Sequence, residues 1–290
     1  MVISGHQVAE KIQRKLIEEV GILKQKGVSP RLDVVLVGEN PASLSYVNAK
    51  KKLAEKLGII VVIHHFFEVT QAEILDCIQK LNHLISAHGI IVQMPLPEHL
   101  DANEILLSLN PAKDVDGFHP VNIGKNVLGI PALTPCTPLG IIEILKYIQV
   151  SPQGKHVVIV GRSNIVGKPL ANLLLQNGEW ADATLTVCHS KTKDVASFTR
   201  QADILIVAIG KPQFITGDMV KEGAVVIDVG ISRVGCAEPD SEKEYILLGD
   251  VDFETVKQKA SFITPVPGGV GPMTVTMLMQ NVLLSAFQTL

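Results

Sequence analysis

Short runs rich in valine and isoleucine alternate with helical patterns along this whole chain, and few architectures accept that pattern. The runs are RLDVVLVG (31–38), GIIVVIHHF (58–66), HGIIVQMP (88–95), KHVVIVG (155–161), ATLTVCH (183–189), ADILIVAIG (202–210), AVVIDVG (224–230) and FITPVP (262–267). Several are apolar at every position, as parallel strands covered on both faces must be. Strand–helix alternation predicts an α/β fold with right-handed crossovers. Thr70 and Glu73 have capping-box spacing before one helical stretch, and Thr137-Pro138 reads as an N-cap followed by a first-turn proline.

The length of 290 residues suits two domains. The proline-rich segment 129–140 marks the seam. Residues 1–137 are expected to form one α/β domain and 138–271 a second, doubly wound one, with the last helix, 272–290, crossing back to complete the first. A net charge of −3 and no long basic run argue against nucleic acid or an anionic membrane as partner. The four cysteines, Cys77, Cys136, Cys188 and Cys236, form no Cys-x-x-Cys pair and read as reduced thiols. The N-terminus lacks the apolar core of a signal peptide. The tail 273–287 comes closest to a membrane span, but Thr274, Thr276, Gln280 and Asn281 interrupt it. A cytoplasmic protein is expected.

The segment VVIVGRSNIVGKPLANLL (157–174) reads as strand, glycine loop and helix. Gly161 and Gly167 let the backbone approach a pyrophosphate, and the helix N-terminus supplies free N–H groups. The next strand ends in His189, Ser190, Lys191 and Thr192, where an NAD site would place an acid. Arg162 lies inside the glycine loop. Both features favour a 2′-phosphate, hence NADP. Asp182 precedes the strand and is set aside.

The helix SYVNAKKKLAEKLG (45–58) poses a separate problem. At about 100° per residue, Tyr46, Ala49, Leu53, Ala54 and Leu57 form its apolar face, and Lys50 falls in the middle. A lysine laying its stem over apolar neighbours is the plain alternative to a functional one. Other polar groups follow strand-like runs. Gln93 ends one; Lys113, Asp114, Asp116 and His119 surround the next turn; Pro267, Gly268 and Gly269 open a loop able to wrap a ligand. Asp228 and Asp250 also follow apolar runs. No third ligand joins them at metal-site spacing, so they read as loop or capping residues, and His64 and His65 as structural.

Seven motifs occur in order: NPASLSYVNAKKK, GIIVQMPLP, KDVDGFHP, PCTPLG, GRSNIVGKP, CHSKT and PGGVGPMTV. Together, over almost the whole chain, they resemble the bifunctional methylenetetrahydrofolate dehydrogenase/methenyltetrahydrofolate cyclohydrolase family. The resemblance implies two α/β domains, the second a Rossmann-type doubly wound parallel sheet, with a cleft between them, and a homodimer. It implies NADP-dependent oxidation of 5,10-methylenetetrahydrofolate, then hydrolysis of the methenyl cation to 10-formyltetrahydrofolate. It makes Lys50 the catalytic base, with Tyr46 and Gln93 beside it, and Asp116 the acid that anchors the pterin. Gly161, Arg162, Ser163, Ser190 and Ile231 become cofactor contacts; Tyr46, Gln93, Asp116, Pro267, Gly268 and Gly269 border the folate.

The chemistry fits these residue types. A fixed ammonium beside the reacting carbon would oppose the cation formed on hydride loss, whereas partial burial favours the neutral amine. A neutral amine takes a proton from attacking water and returns it as the adduct collapses. Gln93 can hold the amine without adding charge. Asp116 can accept from pterin N–H groups. A shikimate-type dehydrogenase or a silent dinucleotide sensor would share the glycine loop but leave Lys50, Gln93 and Asp116 unexplained.

Overall fold

The structure, a computed structural model, describes residues 1–235 and 245–290; Cys236 and most of the 233–245 loop lie outside the described residues. It divides into two compact units. Glu10–Cys136 with Val275–Leu290 form the first, and Thr137–Thr274 with Met1–Ala9 the second.

In chain order the first stretch contains α1 (Gly5–Gln25), β1 (Arg31–Val37), α2 (Pro41–Leu57), β2 (Ile60–Phe66), α3 (Gln71–His83), β3 (Gly89–Val92), α4 (Ala102–Leu107) and α5 (Pro120–Val127). Its three strands pair in parallel in the order β2-β1-β3. A single parallel bridge from Ile90 to Asp114 lengthens the sheet at the β3 edge. The burial follows position in the sheet. β1, in the middle, is buried from Leu32 to Val37, whereas edge strand β2 has no fully buried residue. Ile74, Ile78 and Leu81 of α3 pack on Val35, Ile90 and Val92. The Thr70–Glu73 capping box forms at the head of α3 as the spacing predicts.

The second stretch contains α6 (Cys136–Tyr147), β4 (His156–Val160), α7 (Gly167–Leu174), β5 (Thr184–Cys188), α8 (Val195–Thr199), β6 (Ile204–Val207), β7 (Val225–Asp228), β8 (Ser232–Gly235), β9 (Tyr245–Leu248), α9 (Phe253–Val256), β10 (Phe262–Ile263) and α10 (Val270–Phe287). Five parallel strands follow the order β10-β7-β6-β4-β5. This is a doubly wound sheet whose direction of winding reverses between β4 and β6. Central β6 and β7 are buried at every residue, as their unbroken apolar runs require.

Residues on either side of 236–244 form the antiparallel pair β8–β9, with Arg233 over the Tyr245 ring at 4.7 Å. Three expectations change. α6 begins at Cys136, so Thr137 lies inside the helix, and its hydroxyl hydrogen-bonds Thr274 at 2.9 Å. Residues 1–9 group with the second unit, against their sequence position. The Ile3 N–H donates to Ile263 at 2.8 Å and the Ile263 N–H to Met1 at 3.0 Å, which adds Val2 to the β10 edge. Finally, α10 is long and apolar enough to cross a bilayer despite its polar residues, but 61% of it is buried inside the protein. Met273, Met277, Met279, Val282 and Leu283 have no exposed surface, so core packing accounts for its apolar character.

Candidate active site

α2 starts firmly. The Asn40 side chain accepts from the N–H groups of Ala42 at 2.9 Å and Ser43 at 3.2 Å, and Pro41 fills the first position. It stops at Gly58, whose φ of 81° suits only glycine well. Its buried residues are Ser43, Val47, Ala54 and Leu57. Lys50 completes that row at three- and four-residue spacing and is half-buried. The face therefore lies slightly to one side of the one expected. Ala49 is exposed and Tyr46 is 49% exposed, because Val47 and Ser43, not they, take the central line toward the sheet.

Lys50 meets Gln93. Gln93 follows β3, is 8% exposed, and donates its amide nitrogen to the Met94 carbonyl at 2.7 Å. That bond turns the amide oxygen toward Lys50, whose Nζ donates to it at 3.0 Å.

The turn after Asn110 sorts its own polar residues. Lys113 donates to the Leu81 and Leu84 carbonyls at 3.0 and 2.8 Å, closing the end of α3. Asp114 is buried and accepts from the His119 N–H at 2.7 Å and the Asn122 amide at 3.1 Å. His119 caps α5 by accepting from the Val121 N–H at 3.2 Å. Asp116 instead feels the charge of Lys50. Burial raises its carboxyl above the usual carboxylate range, and the Lys50 charge pulls it part of the way back. Gly117 has φ 75°, and a Cβ there would stand 2.6 Å from backbone atoms of Thr134 and Pro135. Cys136 is buried nearby; desolvation, then the Asp116 charge, push its thiol well up.

In the second unit the glycine loop follows β4, at the point where the winding reverses. Gly161 has φ 134°, and a Cβ on it would stand 2.2 Å from the Ala208 carbonyl oxygen. One on Gly167 would stand 2.1 Å from the Gly161 oxygen. The loop is thus drawn tight by backbone alone and leads directly into the start of α7. Ser163 accepts from the N–H groups of Val166 at 3.1 Å and Gly167 at 3.4 Å, so its hydroxyl already helps begin the helix. Arg162 is exposed on the same loop. Ser190 and Lys191 are exposed in a turn closed by the Thr192 N–H on His189 at 2.8 Å. Asp182 accepts from Gly178 and Gln153, a structural task.

Ile231, after β7, is 49% exposed. Pro267 is exposed and Gly268 has φ 99°; its carbonyl accepts from the Gly5 N–H at 2.8 Å. Asp228 and Asp250 brace the loops at this end of the sheet. Asp228 accepts from Gly230, Asp250 and Val251, each at 3.0 Å. Asp250 accepts from Ile209 at 2.6 Å and Gly210 at 2.9 Å. Burial pushes the Asp228 carboxyl up to about 7. Among the described residues no cluster of three or more His, Cys, Asp or Glu could hold a metal. His64 bonds Asp33 at 2.8 Å and His65 the Gly38 carbonyl at 2.9 Å, both structural.

The geometry thus brings Lys50, Gln93 and Asp116 together, with Tyr46 one turn from Lys50. The glycine loop, the Ser190 turn, Ile231 and the 267–269 loop belong to the other unit. Sequence reasoning missed Ser43, a buried hydroxyl two turns before Lys50; its only signal was the helical spacing.

A doubly wound sheet with a glycine cradle at its switch point, joined to an α/β unit holding an inward lysine, defines a dinucleotide-dependent enzyme. Comparison with known proteins narrows the class. The tetrahydrofolate dehydrogenase/cyclohydrolase catalytic domain matches residues 3–116, and the NAD(P)-binding domain of the same enzymes matches residues 135–290. Bifunctional protein FolD of Bacillus licheniformis is 51% identical over 290 residues, covering 100% of this chain and 98% of that protein. The crystal structure of the bifunctional FolD dehydrogenase/cyclohydrolase of Campylobacter jejuni is 48% identical, with a TM-score of 0.93, covering 100% of this chain and 99% of that one. That of Trypanosoma brucei FolD, solved with NADP and an inhibitor, is 39% identical, with a TM-score of 0.92 and coverage of 99% and 97%. The chain belongs to the tetrahydrofolate dehydrogenase/cyclohydrolase family.

Proposed function

We propose that this chain oxidises 5,10-methylenetetrahydrofolate to the 5,10-methenyl cation with NADP⁺ and then hydrolyses that cation to 10-formyltetrahydrofolate. The observation that carries the reading is the contact between the Lys50 amine and the Gln93 amide oxygen, with Asp116 in the field of the same amine.

NADP⁺, when bound, would supply the hydride acceptor. The chain's own residues handle binding and protons. Asp116 accepts hydrogen bonds from the pterin's amino and ring N–H groups, and its negative charge favours the cationic product. Gln93 holds the amine by its oxygen, so it orients Lys50 without adding charge. In hydrolysis, the Lys50 amine takes a proton from water as the oxygen bonds the methenyl carbon. The ammonium so formed gives that proton to the departing ring nitrogen as the C–N bond breaks, and the adduct's hydroxyl gives its remaining proton to solvent as the formyl C=O forms. Tyr46 borders the folate from the neighbouring turn. Arg162 and Ser190 hold the 2′-phosphate; Gly161 and Ser163 line the pyrophosphate cradle, and Ile231 borders the nicotinamide. Pro267, Gly268 and Gly269 border the folate.

A cytoplasmic homodimer belongs to the same reading. Its support is β2, an edge strand with surface left on every residue, which begins at Ile60, 48% exposed, and is followed by Phe67 at 65% exposure. Sedimentation at micromolar concentration tests it. The function is tested by mixing protein, methylenetetrahydrofolate and NADP⁺ and following NADPH, methenyl and formyl folate together. NADPH without formyl product beyond the uncatalysed rate would remove the second activity.

A further inference from the structure

Asn281 is an amide in the middle of an apolar helix, flanked by Met277, Leu278, Val282 and Leu283, all 0–1% exposed. It is itself 2% exposed. A carboxamide is expensive in such a core unless its hydrogens are placed. Both are: Nδ2 donates to the Val115 carbonyl at 2.8 Å and to the Thr134 carbonyl at 2.9 Å, and it lies 3.6 Å from the Cys136 sulfur. Val115 and Asp116 share one peptide unit. Thr134 belongs to the segment that a Cβ on Gly117 would strike. The two hydrogens of one side chain therefore tie together the segments on either side of the Asp116 turn. The Cys136 thiol donates to the same Val115 carbonyl at 3.4 Å.

We infer that Asn281 is a positioning residue for Asp116: it holds the Val115–Gly117 turn against Thr134–Cys136 so that the carboxylate stands where the folate requires it. This rests on the proposed role of Asp116 and extends it to a residue of α10. Ser285, one turn further along α10, supplies a matched control. It is 4% exposed, and its hydroxyl lies 2.6 Å from the His88 carbonyl and 2.8 Å from that of Ala112, three residues before Val115 (115 − 112) and not on the Val115 carbonyl that Asn281 holds.

The experiment compares Asn281→Ala, Asn281→Ser and Ser285→Ala with the wild type. It reads KM and kcat for methylenetetrahydrofolate, the NADP⁺ dissociation constant and the melting temperature. Asn281→Ala is expected to raise the folate KM about tenfold or more, as a misplaced binding group does, with NADP⁺ binding unchanged. Asn281→Ser keeps one donor and should fall between Asn281→Ala and the wild type. Ser285→Ala should lower the melting temperature and leave the folate KM alone. The inference is overturned if the Asn281 variants leave KM at the wild-type value, or if Ser285→Ala raises it as much. A wild type without folate turnover would instead overturn the function itself, and this role with it.

Discussion

Lys50 donates to Gln93 across 43 residues of sequence at 3.0 Å, while Gln93 spends its own donor on the Met94 carbonyl. The amide is thereby committed as an acceptor, and the lysine's position is set by a neutral group rather than by an acid. An acid in that place would form an ion pair and hold the amine protonated. The pair fixes the amine against a neutral partner.

Replacing that amine gives the most direct test. Lys50→Met keeps much of the stem and removes the proton carrier. Cyclohydrolase turnover should fall by about a hundredfold or more, with NADP⁺ affinity retained. Formyl product forming at the wild-type rate in a stopped assay would reject Lys50 as the base.

Arg162 bears on cofactor choice. The Arg162→Ala enzyme should lose about tenfold or more in NADP⁺ affinity, the scale of a charge-assisted hydrogen bond, and much less in NAD⁺ affinity. Titrations of both cofactors by fluorescence decide it; equal losses would place Arg162 away from the 2′-phosphate.

Asp116 should write itself into the pH dependence of folate binding. Its folded carboxyl titrates above the ordinary range because it is buried. Binding that needs the carboxylate is therefore lost as pH falls, starting higher than an ordinary aspartate would allow. In Asp116→Asn, folate KM should be raised throughout and this acid limb should disappear. An unchanged limb would assign it to another group.

Asp228 makes a stability prediction of opposite sense. Its folded pKa is about 7, against about 3.9 for an unfolded aspartate. Between those values the folded state holds more protons than the unfolded, so this group's contribution to stability falls as pH rises through that window and is lowest above it. Asp228→Asn keeps the size and cannot ionise. The stability of the wild type relative to this variant, from urea denaturation, should decline between pH 5 and about 7. A constant difference would show that Asp228 does not titrate in that window.

The legible part of the site consisted of local patterns. Gly161 and Gly167 frame a loop between an apolar strand and a helix, and Lys50 repeats at the helical spacing of Ala54 and Leu57. Where the reading slipped, the competing effect was packing. Tyr46 and Ala49 belong to the helix's apolar face by angle alone. The sheet beneath instead takes Ser43 and Val47, and small groups at 43 and 54 leave room for a lysine between them.

The sequence alone determined the α/β alternation, the cradle after β4 and an inward amine on α2, because each is a property of a few neighbouring residues repeated at a fixed period. Tertiary structure decided which of the turn's four polar residues, Lys113, Asp114, Asp116 and His119, remained available. Lys113 was drawn to the end of α3, while Asp114 and His119 were drawn into the turn that begins α5. It also decided that Val2 extends the distant β10 edge and that Asn281, 165 residues beyond Asp116 in sequence (281 − 116), grips the turn that carries it. Buried backbone carbonyls must find donors wherever the chain happens to bring one, and no local period encodes that meeting.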